Sequence, residues 1–169
     1  MGNSHSNSTK LRRENLKFEF LADRQDAIPI VAGWYFEEWG CNVPGNSIEQ
    51  TIARLNDKLN RDNSCTCISC RSRKILGVVQ LKLHEMDIYP ERESWIGSLF
   101  VEPKYRGNGI GSALANTIVT IAADFGIKEL YLQTEAVDGG LYQQLGWHSI
   151  ETVRSRGVDV TVMVRKIDV

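Results

Sequence analysis

No apolar run in the 169 residues approaches the roughly 20 that a membrane-spanning helix needs, so bilayer insertion is not expected. Neither sign of charge is in surplus: 20 lysines and arginines stand against 21 aspartates and glutamates. A chain without a global positive field has little to hold a nucleic-acid backbone, which leaves a small molecule or a peptide as the expected partner. The opening residues lack the basic-then-apolar pattern of a secretory signal, and a reducing, cytoplasmic compartment is the expectation. Cysteine is scarce as well. Cys65, Cys67 and Cys70 share one stretch, but a structural zinc site needs a second cluster that Cys41 alone does not supply. No metal is expected, and the three thiols read as small apolar residues filling a strand.

What is present describes a single folded unit. With 42% apolar and 24% charged residues, the chain is long enough to bury a core without metal or disulfide staples. Residues 1–13 are polar and aperiodic, which predicts a disordered tail ahead of one domain over 14–169. Met1-Gly2 with Ser6 also matches the pattern for myristate attachment, with Lys10, Arg12 and Arg13 as a basic second signal; a plain polar tail is the preferred reading.

Periodicity then sets out the elements. Leu16–Leu21 alternates as a strand, with Phe18 and Phe20 on one face. Ile28, Val31, Ala32, Tyr35 and Trp39 recur at helical spacing, Pro29 falls in the first turn, and Gly40 should end the helix. Ser47 is an N-cap candidate with Gln50 three residues on, opening a second helix through Ile48, Ile52, Leu55 and Leu59. Two strands joined by the turn Arg71-Ser72-Arg73-Lys74 fill Ser64–Leu83. Ser94–Val101 reads as a central strand buried on both faces. A helix to about Asp124, a strand over Lys128–Thr134, a short helix after Gly139-Gly140 and a closing hairpin around Arg156-Gly157 complete the chain. That order predicts an α/β (α+β) domain: one mixed, mostly antiparallel sheet of about seven strands, with four helices on both faces.

Between the central strand and its helix lies Arg106-Gly107-Asn108-Gly109-Ile110-Gly111. A loop at this place aims successive backbone N–H groups outward, and the helix dipole adds positive potential. Glycines let a phosphate reach those amides and permit positive φ, while Lys104 and Arg106 add charge at the rim. Two other nucleotide motifs fail. Gly111-Ser112-Ala113 has no P-loop lysine, and a dinucleotide fingerprint belongs near the start of a strand-helix-strand unit, not two-thirds along the chain.

These residues resemble the Gcn5-related N-acetyltransferase superfamily, and small bacterial members of it in particular. Its motif, arginine or glutamine, two residues, glycine, one residue, glycine or alanine, is met by Arg106, Gly109 and Gly111 after Phe100-Val101-Glu102-Pro103-Lys104-Tyr105. Leu130-Tyr131-Leu132 is similar to the family's next strand, and Leu141-Tyr142-Gln143-Gln144-Leu145-Gly146-Trp147 to its "Tyr, two residues, Leu-Gly-aromatic" segment. The resemblance implies acetyl-CoA as acetyl donor, its pyrophosphate on the amides from Arg106 through Gly107, Asn108, Gly109, Ile110 and Gly111 to Ser112. It implies pantetheine pairing along Leu99, Phe100 and Val101, with Thr134 on the following strand.

The implied reaction is direct attack by a primary amine, without a covalent enzyme intermediate. Tyr142 matches the family tyrosine that protonates the leaving thiolate, and it stands one position off the Leu141, Leu145 stripe. The base is harder to find, since Trp95–Val101 contains no ionisable side chain; Glu93 and His84 are the candidates, working through water. The acceptor site is expected near Trp34, Glu37 and Glu38, whose acidic and aromatic character suits a cationic amine, with Trp95 a further wall. The acceptor is a small-molecule amine or a peptide amine, and a homodimer stays open. The competing reading is a non-catalytic acyl-CoA-binding sensor, which needs the loop and not Tyr142.

Overall fold

A computed structural model describes residues 15–59 and 63–168. The expected tail over residues 1–13 and the Gly2 pattern lie outside the described residues. In chain order the elements are β1 (Lys17–Phe20), α1 (Ile28–Tyr35), α2 (Ile48–Asp57), β2 (Cys65–Arg71), β3 (Lys74–Leu83), β4 (Ser94–Val101), α3 (Ile110–Asp124), β5 (Glu129–Thr134), α4 (Gly140–Gln144), β6 (His148–Ser155) and β7 (Val158–Lys166).

The seven strands form one sheet in the order β1-β2-β3-β4-β5-β7-β6, so β4 is central, as its apolar sequence predicts. Only β4 and β5 run parallel. Their pairing is confined to Trp95 opposite Tyr131, and beyond it no ladder joins them; β4 has its full antiparallel partner in β3. The strand edge from Leu99 to Val101 that faces β5 is therefore left open, which matters for the site below.

Two apolar clusters sandwich the sheet. On one face α1 and α2 bring Val31, Ala32, Tyr35 and Leu55 against Ile68, Val78 and Phe100. On the other, α3 lays Ile110, Leu114 and Ile118 against Leu76, Val79, Leu81 and Ile96. Burying each such side chain contributes about 1.5–3 kcal/mol. The three cysteines of β2 are buried, and burial pushes the Cys65 and Cys70 thiols up to about 11 and Cys67 to about 12.

Local physics accounts for the element ends. Ser47 caps α2, its hydroxyl accepting from the Gln50 N–H at 3.2 Å, and Pro29 sits in the first turn of α1, where no N–H is required. In two places the structure departs from the periodicity. The first helical run ends at Gly40 as expected, but its last turn is not α-helical: α1 stops at Tyr35, and Phe36–Gly40 widens into a π turn closed by the Cys41 N–H on the Phe36 carbonyl at 2.7 Å. Several apolar residues placed on shared faces or helical stripes, Phe18, Phe20, Trp39 and Ile48, are exposed by more than a third. For Phe18 and Phe20 the cause is position, because β1 is a sheet edge paired only with β2.

Candidate active site

The loop after β4 forms one wall of a cavity of about 500 Å³. Leu99, Phe100, Val101, Arg106, Gly107, Gly109, Ile110, Gly111 and Ser112 all line it, together with Tyr105, Leu141 and Glu38. Gly107 and Gly109 have φ of +77° and +78°, the left-handed region that glycine enters without cost. Gly109 is the N-cap of α3, no side chain caps that end, and the first turn contains no acidic residue. The leading amides of α3 are thus not satisfied from within the helix, and they sit at its positive pole beside an open groove. Such an arrangement can receive an anion on backbone alone.

Side chains around the loop hold its shape. Asn108 donates through Nδ2 to the Tyr105 carbonyl at 2.9 Å and the Arg106 carbonyl at 3.2 Å, so it braces the turn and is not a wall residue. Arg106 donates through Nε to the Val101 carbonyl at 2.8 Å and lies over the Phe100 ring, 5.3 Å from its centre. Lys104, expected at the rim, is instead paired with Glu102 at 3.0 Å and does not line the groove.

One residue before Leu99 the strand is irregular. Val78 opposes Phe100 and Gln80 opposes Gly97, so β4 carries an extra residue, and Ser98 adopts φ of +50°. A non-glycine residue there costs about 1–2 kcal/mol. The strain is held by Tyr35, whose buried hydroxyl donates to the Ser98 carbonyl at 2.9 Å; burial keeps its pKa well above the usual phenol value, so it remains a donor. Such bulges concentrate beside active sites because they re-aim the strand. The bulge also explains why β4 is not buried on both faces throughout, as its sequence predicts: Gly97, Ser98 and Leu99 are half-exposed.

On the far side of the bulge a second cavity, of about 250 Å³, opens between α1, α2 and the sheet. Tyr35, Trp39, Leu55, Gln80 and Ser98 form its floor and walls, and Arg54, Lys58, Lys82 and Arg156 stand around it. The two cavities share no lining residue, but consecutive residues of β4 border them, Ser98 the second and Leu99 the first. The π turn bridges them from above, since Glu38 lines the first and Trp39 the second.

Other expected site residues lie elsewhere. Trp95 is fully buried, packed between Tyr89 and Tyr131, and cannot wall an acceptor groove. His84 and Glu93 face each other at the start of β4, the His84 N–H donating to the Glu93 carbonyl at 2.8 Å. They stand at the opposite end of the strand from the loop, roughly 20 Å away at the usual rise per residue. Neither lines either cavity at the bulge; Glu93 instead borders a separate hollow with Lys128 and Tyr131. Trp34 is half-buried against Phe100, 5.3 Å between ring centres, behind the groove wall, and Glu37 is exposed on the π turn outside both cavities. Thr134 ends β5 and spends its hydroxyl on the Ala136 N–H at 3.2 Å. Tyr142 lines neither cavity: it is half-buried beside Leu141, which lines the loop cavity, its ring edge-on to Trp147 at 6.0 Å, and burial raises its pKa above the ordinary phenol value.

Comparison with known proteins decides the family. The profile of the acetyltransferase (GNAT) family matches residues 30–147, which takes in the π turn, β4, the glycine loop and the Tyr142 segment. The chain belongs to the GNAT acetyltransferase family. Acetyl-CoA is the donor that this family uses. Human N-acetyltransferase 8B is 30% identical over 92 residues, covering 53% of this chain and 40% of that protein, so the match spans less than half of the relative's length. Among solved structures, a GCN5-related N-acetyltransferase from Kribbella flavida superposes with a TM-score of 0.72 at 20% identity, covering 92% of this chain and 100% of that one. YncA from Salmonella typhimurium, solved with its cofactor acetyl-CoA, gives 0.69 at 16% identity over 91% and 95%. At these identities the likeness establishes the fold.

The residues that sequence reasoning missed fall into two kinds. Tyr105 and Leu141 line the loop cavity and adjoin motif residues, so adjacency was an available signal. Arg54, Lys58, Gln80, Lys82 and Arg156 come together only through the fold, and no spacing between them announces it.

Proposed function

We propose that this protein is an N-acetyltransferase that moves an acetyl group from acetyl-CoA to a primary amine, with the domain over residues 14–169 doing the chemistry. The observation that carries the reading is that neighbouring residues at the β4 bulge border two cavities, one beside the uncapped N-terminal end of α3 and one without such an end. The groove residues fit the donor. The open amides of α3 and the positive-φ glycines suit a pyrophosphate, and the unpaired edge of β4 from Leu99 to Val101 offers hydrogen bonds to an amide-bearing arm. Bound there, acetyl-CoA supplies an activated thioester.

The chain's own groups do the positioning. The bulge turns the Ser98–Leu99 backbone toward the junction of the cavities, and an amine entering from the Tyr35 and Trp39 side meets that junction. The amine nitrogen forms its bond to the acetyl carbon as the carbon–sulfur bond breaks; the amine loses a proton, and Tyr142 gives one to the departing thiolate. Glu38 is the single carboxylate on either wall among the described residues, and it is the group on these walls that can accept the amine's proton, in place of Glu93 and His84. A sensor that only binds acyl-CoA has no use for the second cavity, which favours catalysis. The four free thiols, three of them buried, support work in the reducing cytoplasm; among the described residues no helix is long and apolar enough to cross a membrane.

Coenzyme A release in the presence of amines tests the reading. Tyr142→Phe is expected to lower kcat about a hundredfold, the lower end of what a positioned acid contributes, with donor binding unchanged. The pH profile adds a sign. Attack needs the neutral amine, so the rate climbs with pH, and the fall waits until Tyr142 ionises, above the ordinary phenol value of about 10 because burial raises its pKa. Tyr142→Phe should lose that falling limb. An unchanged kcat and profile would remove Tyr142 from the mechanism.

A further inference from the structure

The second cavity carries charge of one sign. Arg54 and Lys58 from α2 and its end, Lys82 from β3 and Arg156 from the β6–β7 turn line it, and no aspartate or glutamate does. Three elements far apart in sequence thus bring cations to one hollow in a chain whose formal net charge is −1. Lys82 is already answered by Glu85 at 3.0 Å. Arg54 is held by Asn46 and Thr51, both neutral, and neither it nor Arg156 forms an ion pair among the described residues. Buried Gln80, which donates to Thr66 at 3.1 Å, and the Tyr35 hydroxyl bound to Ser98 add no negative charge to the floor. Glu38, on the adjoining cavity, is the nearest acidic wall residue.

A cavity of this sign repels a polyvalent cation, since each ammonium group pays for entering a field of like charge. It suits an acceptor that brings its own negative charge, because arginine presents a fork of donors matched to a carboxylate. At about 250 Å³ the space lies just under the roughly 300–1,000 Å³ of sites for drug-sized ligands, which fits one residue-sized group. We infer that the acceptor is an amine carrying a carboxylate close to its amino group, as in an acidic amino acid or the first residues of an acidic peptide, held by Arg54 and Arg156. This rests on the acetyl-transfer reading and reverses the cationic acceptor that Glu37 and Glu38 suggest in the sequence. The same cations disfavour the ammonium form of a bound amine, which eases the need for a strong base on β4.

The test is coenzyme A release from acetyl-CoA with aspartate, glutamate, a peptide opening on two aspartates with a free N-terminus, alaninamide and spermidine. The expected result is a kcat/KM at least about tenfold higher for an acidic acceptor than for alaninamide or spermidine, the size of one charge-assisted hydrogen bond. Free amino acids against the peptide then tell which source of the carboxylate is used. Arg156→Gln, on an exposed turn, and Arg54→Gln should each cut the acidic acceptor's kcat/KM about tenfold to hundredfold, leaving alaninamide and coenzyme A binding within about twofold. Rising ionic strength should lower the rate with the acidic acceptor alone. A preference for spermidine, or losses equal across all acceptors, overturns the acidic acceptor while acetyl transfer stands. No turnover with any amine overturns the transfer reading and this inference with it.

Discussion

The cavity at Arg106–Ser112 is lined almost entirely by one run of chain from Leu99 to Ser112, whereas the cavity at Ser98 draws on residues from 35 to 156. The first offers backbone: amides at a helix end, with glycines that keep side chains out of the way. The second offers side chains carried by elements that meet only after folding. On the proposed reading, donor binding is written in a short motif, and the choice of acceptor is spread over the molecule, where it can change one residue at a time.

The largest expected effect lies in the backbone cavity. Gly109→Val places a β-branched residue at φ of +78° on the cap of α3 and should weaken coenzyme A binding, measured by calorimetry, at least about a hundredfold, through strain and lost charge-assisted bonds. The loss should be the same whatever the acceptor. Next come Arg156→Gln and Arg54→Gln, with the selective loss of about tenfold to hundredfold described above; acceptor-independent damage there would erase the distinction between the two cavities. The smallest effect belongs to the far end of β4. Glu93→Gln and His84→Ala should leave kcat and its pH profile within about twofold, because these groups face each other at the strand's start and line neither cavity at the bulge. A hundredfold loss in Glu93→Gln would mean that the proton leaves by a route running the length of the strand.

The same contrast governs how much of the molecule its sequence reveals. Element order, the central place of Ser94–Val101 and the N-cap at Ser47 all follow from local patterns, since apolar period, capping and turn residues act over a few positions. So does the shape of the loop, whose positive-φ glycines and uncapped helix end are properties of its own six residues and the helix after them. The bulge at Ser98 is not legible: Trp95–Val101 reads as an unbroken buried strand, and the extra residue appears only when its register against Val78 and Gln80 is known. Trp95 looked like a groove aromatic because its position on β4 is visible but its face is not; the bulge decides which face each residue shows, and Trp95 falls inside. Glu93 and His84 were near β4 in sequence and at its wrong end in space. Glu38 was legible as a charged residue on the first helix, but the π turn that sets it over the loop cavity was not.

If donor and acceptor meet at the β4 bulge, a crystal structure with coenzyme A bound will show it. It should show the pyrophosphate on the amides between Gly107 and Ser112, the arm along Leu99–Val101, and the sulfur at the junction beside Ser98 with Tyr142 within hydrogen-bond reach. A coenzyme seated in the hollow beside Glu93 and Lys128, or one whose sulfur points away from Ser98, would contradict it.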